Sequence, residues 1–176
     1  QTPLFNPEAI VIQYDYDEDT IGKNRPIDIG LTGDAKTVLQ QLIDAIGDPL
    51  DRDEEWLKQL SEEEAQAREM RRPLLESDSV PIHPLRLVNE MAGFVDDDTI
   101  VVGDGGDIVA NSSKYMPINH LGQWFDPGPL GTLGVGTGFC MAIKATNPDK
   151  RILMVNGDGA FGLNGFDFDT LVRFDL

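Results

Sequence analysis

Two stretches of this chain follow one grammar. Residues 99–116, TIVVGDGGDIVANSSKYM, and residues 151–174, RILMVNGDGAFGLNGFDFDTLVRF, each run from an apolar segment through a glycine turn into helix-forming sequence. A strand that is apolar at nearly every position, rather than at alternate ones, is buried on both faces. Strand, helix, strand, helix in succession then predicts an α/β fold, a parallel sheet with helices on both faces. Ligands of such sheets bind beyond the carboxyl ends of the strands. Both glycine turns, at 103–106 and 157–159, fall at that edge.

The rest of the chain divides around this unit. Residues 10–16, IVIQYDY, and the segment PIDIGLTGD read as strands, followed by the helix AKTVLQQLIDAI. Thr32 or Asp34 would cap that helix, Val38, Leu39, Leu42 and Ile46 would form its apolar face, and Gly47-Asp48-Pro49 would end it. Residues 1–50 are therefore read as the C-terminal part of a Rossmann-like α/β domain. Residues 51–80 are dense in charge, with Trp56, Leu57 and Leu60 as apolar anchors, and read as an acidic helical linker. Residues 81–176 form the second α/β domain, in which helices are expected over 83–94, 107–116, 135–146 and 163–174, with a long glycine-rich loop, GQWFDPGPLGTLGVGTG, between the two grammatical units. The missing Met, the strand close to the start and the stop at TLVRFDL suggest an internal piece of a longer protein.

Charge and composition narrow the function classes. The chain has 176 residues, 40% of them hydrophobic, and a net charge of -17 from 31 acids against 14 bases. A nucleic-acid or anionic-membrane binder needs a basic face, and only isolated pairs such as Arg71-Arg72 occur. No apolar run approaches the ~20 residues of a membrane span, and the first residues lack the basic-then-apolar order of a secretory signal. The single cysteine, Cys140, lies in the apolar stretch GFCMAIKA and reads as a small buried residue. With no internal disulfide possible, a cytoplasmic protein is expected.

Residues 157–162, GDGAFG, match G-x-G-x-x-G between a strand and a helix, the pattern of a dinucleotide turn. Asp158 is at odds with that reading, because a carboxylate ~4 Å from phosphate oxygens costs several kcal/mol in a partly buried site. A divalent cation resolves the conflict: Asp158 would ligate Mg²⁺, the metal would ligate a diphosphate, and the turn would supply N–H donors. A tight turn with a capping Asp is the plainer alternative. GPLGTLGVGTG, residues 128–138, packs five glycines into eleven residues, with Leu133 set between them, as though the backbone passes close to something bulky. Other candidates fail. Asp15, Asp17 and Asp19 alternate as in a calcium loop, but the sixth position is Thr20 and the twelfth Pro26. His83 and His120 lie in no zinc pattern, and Ser112 and Ser113 in no nucleophile elbow.

Together these segments resemble thiamine-diphosphate enzymes of the acetolactate synthase and 2-hydroxyacyl-CoA lyase (oxalyl-CoA decarboxylase-like) type. GDGAFGLNGFDFDTLVRF resembles the family's metal motif, DPGPLGTLGVGTGF its aminopyrimidine loop, GDGGDIV the loop on the other side of the diphosphate, and residues 10–46 the end of its central domain. The likeness implies cofactor contacts from Gly106, Asp107, Ile108, Gly131, Thr132, Leu133, Gly157, Asp158, Gly159 and Ala160, with Asp158 on Mg²⁺. It implies that the Gly131 carbonyl accepts from the 4′-amino group, that the Leu133 N–H meets a ring nitrogen, and that its side chain wedges the cofactor into a V shape. Residues 81–176 would be the diphosphate- and Mg²⁺-binding domain, cut before its last metal ligand, an Asn. The ylide-activating Glu would lie in an N-terminal domain absent here, so this piece alone would be inactive. The implied activity is a C–C lyase or carboligase working beside a carbonyl on a 2-keto acid or an acyl-CoA, in a homodimer or homotetramer. Asp107-Ile108 stand where acetolactate synthases carry Gln-His, which leans towards the acyl-CoA branch. A Rossmann-type nucleotide-cofactor oxidoreductase and a non-catalytic relative of the family are the alternatives.

Overall fold

The computed structural model describes residues 5–48 and 53–176. Their contacts separate two units, Gln1–Lys58 and Gln59–Leu176; the expected boundary between residues 50 and 51, and Pro49, lie outside the described residues.

In the first unit, β1 (Ile12–Asp15) pairs in parallel with β2 (Ile29–Thr32). Helix α1 (Ala35–Ile46) starts where its N-cap, Asp34, accepts from the Thr37 amide at 3.0 Å; Thr32 stays in the strand. Gly47, at φ +72, ends it. Of the expected apolar face only Val38 is buried, and Leu39, Leu42 and Ile46 are exposed. Two strands ~5 Å apart are narrower than the ~10 Å cylinder they face. Asp15 and Asp17 accept from backbone amides two residues on, at 3.0 Å each, which is turn chemistry.

The acidic stretch forms a long helix, α2 (Glu54–Leu75). Trp56, Leu57 and Leu60 remain exposed along it, and Leu75 is buried at its end. Helix α3 (Pro84–Ala92) follows, with Pro at its first position and the His83 Nδ1 accepting from the Leu85 amide at 3.1 Å.

The core of the second unit is a three-stranded parallel sheet. Its strands are β3 (Thr99–Asp104), β4 (Trp124–Phe125) and β5 (Arg151–Asn156), in the order β4-β3-β5. Helix α4 (Asp107–Tyr115) follows β3, α5 (Gly136–Thr146) precedes β5, and α6 (Asp158–Asn164) and α7 (Phe168–Arg173) follow it. β3 is buried at all six positions, its apolar centre as the sequence requires and the polar Thr99 and Asp104 at its ends as well. Val101 and Val155 pack with Val88 of α3 and Met116 on one face. Ile100 and Val102 pack with Cys140 and Ile143 of α5 on the other. The α/β fold with helices on both faces is the one expected. Burial pushes the Cys140 thiol up to about 11.

Two elements differ from expectation. The glycine-rich stretch contains β4, a strand of two residues, too short to leave a period-2 pattern. The final helix, expected over 163–174, instead begins at Asp158, straight out of the glycine turn, and is interrupted at Gly165–Asp167 by a 3-10 turn before α7. Asn164, at φ -142, leaves helical geometry there. A Cβ at Gly165 would lie 2.8 Å from the Phe161 ring, so a larger residue there would have to push that ring aside.

Candidate functional site

β3 and β5 are in register from Thr99↔Arg151 to Asp104↔Asn156, so their glycine turns leave the sheet side by side. The Gly157 amide donates to the Asp104 carbonyl at 2.8 Å. Gly105, at φ +141, lies so close that a Cβ would sit 3.1 Å from the Gly157 nitrogen and 3.0 Å from Ile108 Cγ2. The two turns therefore form one surface, and Gly105 is held to glycine both by its backbone angle and by its neighbour.

Helices α4 and α6 both start on that surface. Their N-caps are Gly106 and Gly157, and neither start has a side-chain cap. The first amides of a helix have no partner within it, so both starts present unsatisfied N–H donors. Gly106, Asp107, Asp158 and Gly159 are exposed there, and a Cβ at Gly106 or Gly159 would meet no atom within 4 Å. Ile108 is half-buried against the apolar core, and Ala160 is buried, which leaves its backbone as its contribution. Donors around open space beside exposed carboxylates, Asp107 and Asp158, suit an anion carried by a hard cation. Among the described residues no three His, Cys, Asp or Glu side chains gather as a metal cluster. That suits Mg²⁺, which takes one or two protein carboxylates and completes its shell with phosphate oxygens and water. The residues present thus fit a magnesium diphosphate, with Asp158 as the carboxylate.

Gly131, Thr132 and Leu133 lie at the start of the second glycine-rich segment, all exposed, with Gly131 left-handed at φ 58 after a 3-10 turn. Two glycines of this segment answer to the protein's own packing. A Cβ at Gly134 would meet Leu163 at 2.8 Å, and one at Gly136 would meet Met154 at 2.6 Å and Asp104 at 2.8 Å. Gly128 and Gly131 meet open space but need glycine for their positive φ, +61 and +58, and only Gly138 is held by neither angle nor neighbour.

One residue that the sequence did not single out connects these parts. Asp104, 1% exposed, accepts from the Gly136 amide at 2.7 Å and the Gly134 amide at 3.2 Å. From the other side, Asn164 Nδ2 donates to the Gly134 carbonyl at 2.9 Å. In sequence, Asp104 is one more turn aspartate; only the register of β3 against α5 reveals its partners. Beside it, Asn156 buries an Oδ1 without a hydrogen-bond partner.

Comparison with known proteins agrees with this geometry. Residues 104–176 match the model of the thiamine pyrophosphate enzyme C-terminal TPP-binding domain, thiamine pyrophosphate being thiamine diphosphate by another name. An acetolactate synthase large subunit of Mycobacterium tuberculosis is 35% identical over 152 residues, 86% of this chain and 27% of that protein. A 2-hydroxyacyl-CoA lyase 2 of Caenorhabditis elegans is 34% identical over 155 residues, 85% of this chain and 24% of the relative. A 2-hydroxyacyl-CoA lyase of Arabidopsis thaliana is 28% identical over 183 residues, 100% of this chain and 32% of the relative. The chain thus spans 24–32% of the length of these relatives. The match begins at Asp104 and takes in both the glycine-rich loop and GDGAFG. Residues 104–176 belong to the C-terminal TPP-binding domain of the thiamine pyrophosphate enzymes, and most of the chain aligns with their acetolactate synthases and 2-hydroxyacyl-CoA lyases.

Proposed function

We propose that this chain supplies the diphosphate-binding face of a thiamine-diphosphate- and Mg²⁺-dependent enzyme that makes or breaks C–C bonds beside a carbonyl. The observation that carries the reading is the contact of Gly105 with Gly157, which sets two uncapped helix starts and the Asp158 carboxylate around one open edge. On this reading Asp158 holds the metal. Gly106, Asp107, Ile108, Gly157, Gly159 and Ala160 hold the phosphates, chiefly through backbone N–H groups. Gly131, Thr132 and Leu133 hold the ring system. When bound, thiamine diphosphate supplies a nucleophilic carbon and an electron sink; the residues of this chain bind it, orient it and fix its charge. None of them is assigned as an acid or base towards substrate.

The substrate is a 2-keto acid such as pyruvate or a 2-hydroxyacyl-CoA, the second named in two of the relatives above, and Asp107-Ile108 lean the reading to the acyl-CoA. A cytoplasmic homodimer or homotetramer is part of the same proposal. The test uses the full-length protein. Calorimetry should detect thiamine diphosphate binding that requires Mg²⁺, and product assays with pyruvate and with a 2-hydroxyacyl-CoA should show turnover of one of them. Binding without turnover would point to a non-catalytic member of the family; absence of binding would remove the proposal.

A further inference from the structure

The contacts that fix Leu133 lie outside the residues proposed to touch the cofactor. Leu133 precedes Gly134, whose peptide groups are gripped twice: its amide by buried Asp104, its carbonyl by Asn164. Asp104 also accepts from Gly136, the first residue of α5. The N-cap of that helix, Val135, offers no side-chain cap, so a carboxylate thirty-two residues earlier in the chain does the capping. Each oxygen of this buried carboxylate thus takes one loop amide at the start of α5, Oδ1 that of Gly134 and Oδ2 that of Gly136. Asn164 closes the second α6 turn after GDGAFG. The loop is therefore tied at one side to the end of β3 and at the other to the helix that starts at Asp158.

We infer that Asp104 and Asn164 are positioning residues: together they clamp Gly134 and so set Leu133 at a fixed distance from the Asp158 turn. The inference rests on the proposed cofactor site, and it adds a coupling between the ring-binding loop and the diphosphate edge. Neither side chain touches the cofactor; both act through the backbone of the loop.

The test separates ring from diphosphate. The full-length protein is titrated by calorimetry with thiamine diphosphate and, separately, with inorganic pyrophosphate, each with Mg²⁺. In Asp104→Asn, one of the two amides loses its acceptor and faces an NH₂ group instead. Thiamine diphosphate affinity is expected to fall about tenfold, the scale of one charge-assisted hydrogen bond, while pyrophosphate affinity stays within about twofold. Equal thiamine diphosphate affinity in variant and wild type overturns the clamp, and so does a parallel loss of both ligands, which would mark a merely structural carboxylate. A wild type that binds neither ligand overturns the site reading and the clamp with it. Should Asp104→Asn fail to fold, the half-buried Asn164→Ala carries the same expectation: selective loss of thiamine diphosphate supports the clamp, and no loss or equal loss overturns it.

Discussion

The three strands of the second unit end in opposite ways. At their amino ends every exit is closed by side chains. The Thr99 hydroxyl donates to Asp96 at 2.7 Å and accepts from Arg151 at 3.0 Å, and Arg151 also pairs with Asp96. Lys150 pairs with Asp98 at 2.7 Å. Gln123, 3% exposed, donates to the Asp96 carbonyl and accepts from the Asn119 amide, both at 2.7 Å. At the carboxyl ends of β3 and β5 the exits are glycines, uncapped helix starts and two exposed aspartates, Asp107 and Asp158. A protein leaves backbone donors unsatisfied only where something else can satisfy them. The contrast separates an edge built for stability from an edge built for a ligand, within one sheet and at the same strand register.

The sharpest way to break that contrast is Asp158→Ala in the full-length protein. Retention of thiamine diphosphate and Mg²⁺, read by calorimetry, should fall by at least about a hundredfold, since the lost group would be a direct metal ligand. Stability should move by no more than about 0.5 kcal/mol, because the side chain is exposed. A variant that keeps the cofactor at wild-type affinity would show that the carboxyl edge does not bind through this carboxylate.

Gly105→Ala and Gly106→Ala form the next pair. The first places a Cβ against Gly157 and Ile108 at a backbone angle of +141, and should cost about 2 kcal/mol in chemical denaturation. The second meets open space and should cost no more than about 1 kcal/mol, the scale of replacing a preferred N-cap by Ala. Equal costs would mean that the two turns are not in the contact described.

Arg151→Ala tests the other edge. Both partners of its ion pair with Asp96 are more than half exposed, so the loss should be no more than about 1 kcal/mol after solvent screening. Thiamine diphosphate affinity should be unchanged. A change in affinity would show that the amino edge is not merely structural.

The two edges were unequally legible in the sequence. The unbroken apolar run of β3, the placement of α1 and the glycine turns follow from local pattern, and so did Asp158, because a carboxylate in a phosphate turn contradicts its surroundings unless a metal joins them. Asp104, Gln123 and Thr99 left no such sign. Each is a polar residue whose burial is set by partners from thirty-two, twenty-seven and fifty-two positions away, and such pairings appear only once strands are in register. The break at Gly165 was hidden for the same reason, since Phe161 and Gly165 show their conflict only in three dimensions.

The smallest expected effect concerns acid. Asp96 has its carboxyl held below the usual carboxylate range, first by the Thr99 hydroxyl and then by Arg151. A depressed folded-state value stabilises the protein above the unfolded value, near 3.9, and that contribution is lost as pH falls through the lower, folded value. Thr99→Val keeps the shape of a side chain that is 2% exposed and removes the hydroxyl. The wild type should then be more stable than the variant at neutral pH, and the gap should narrow as pH falls below about 4. Denaturation curves of both proteins at a series of pH values read that gap directly, with the many other carboxylates cancelling in the difference. A gap independent of pH would mean that Thr99 acts by packing alone, and the amino edge would owe less to its charges than its contacts suggest.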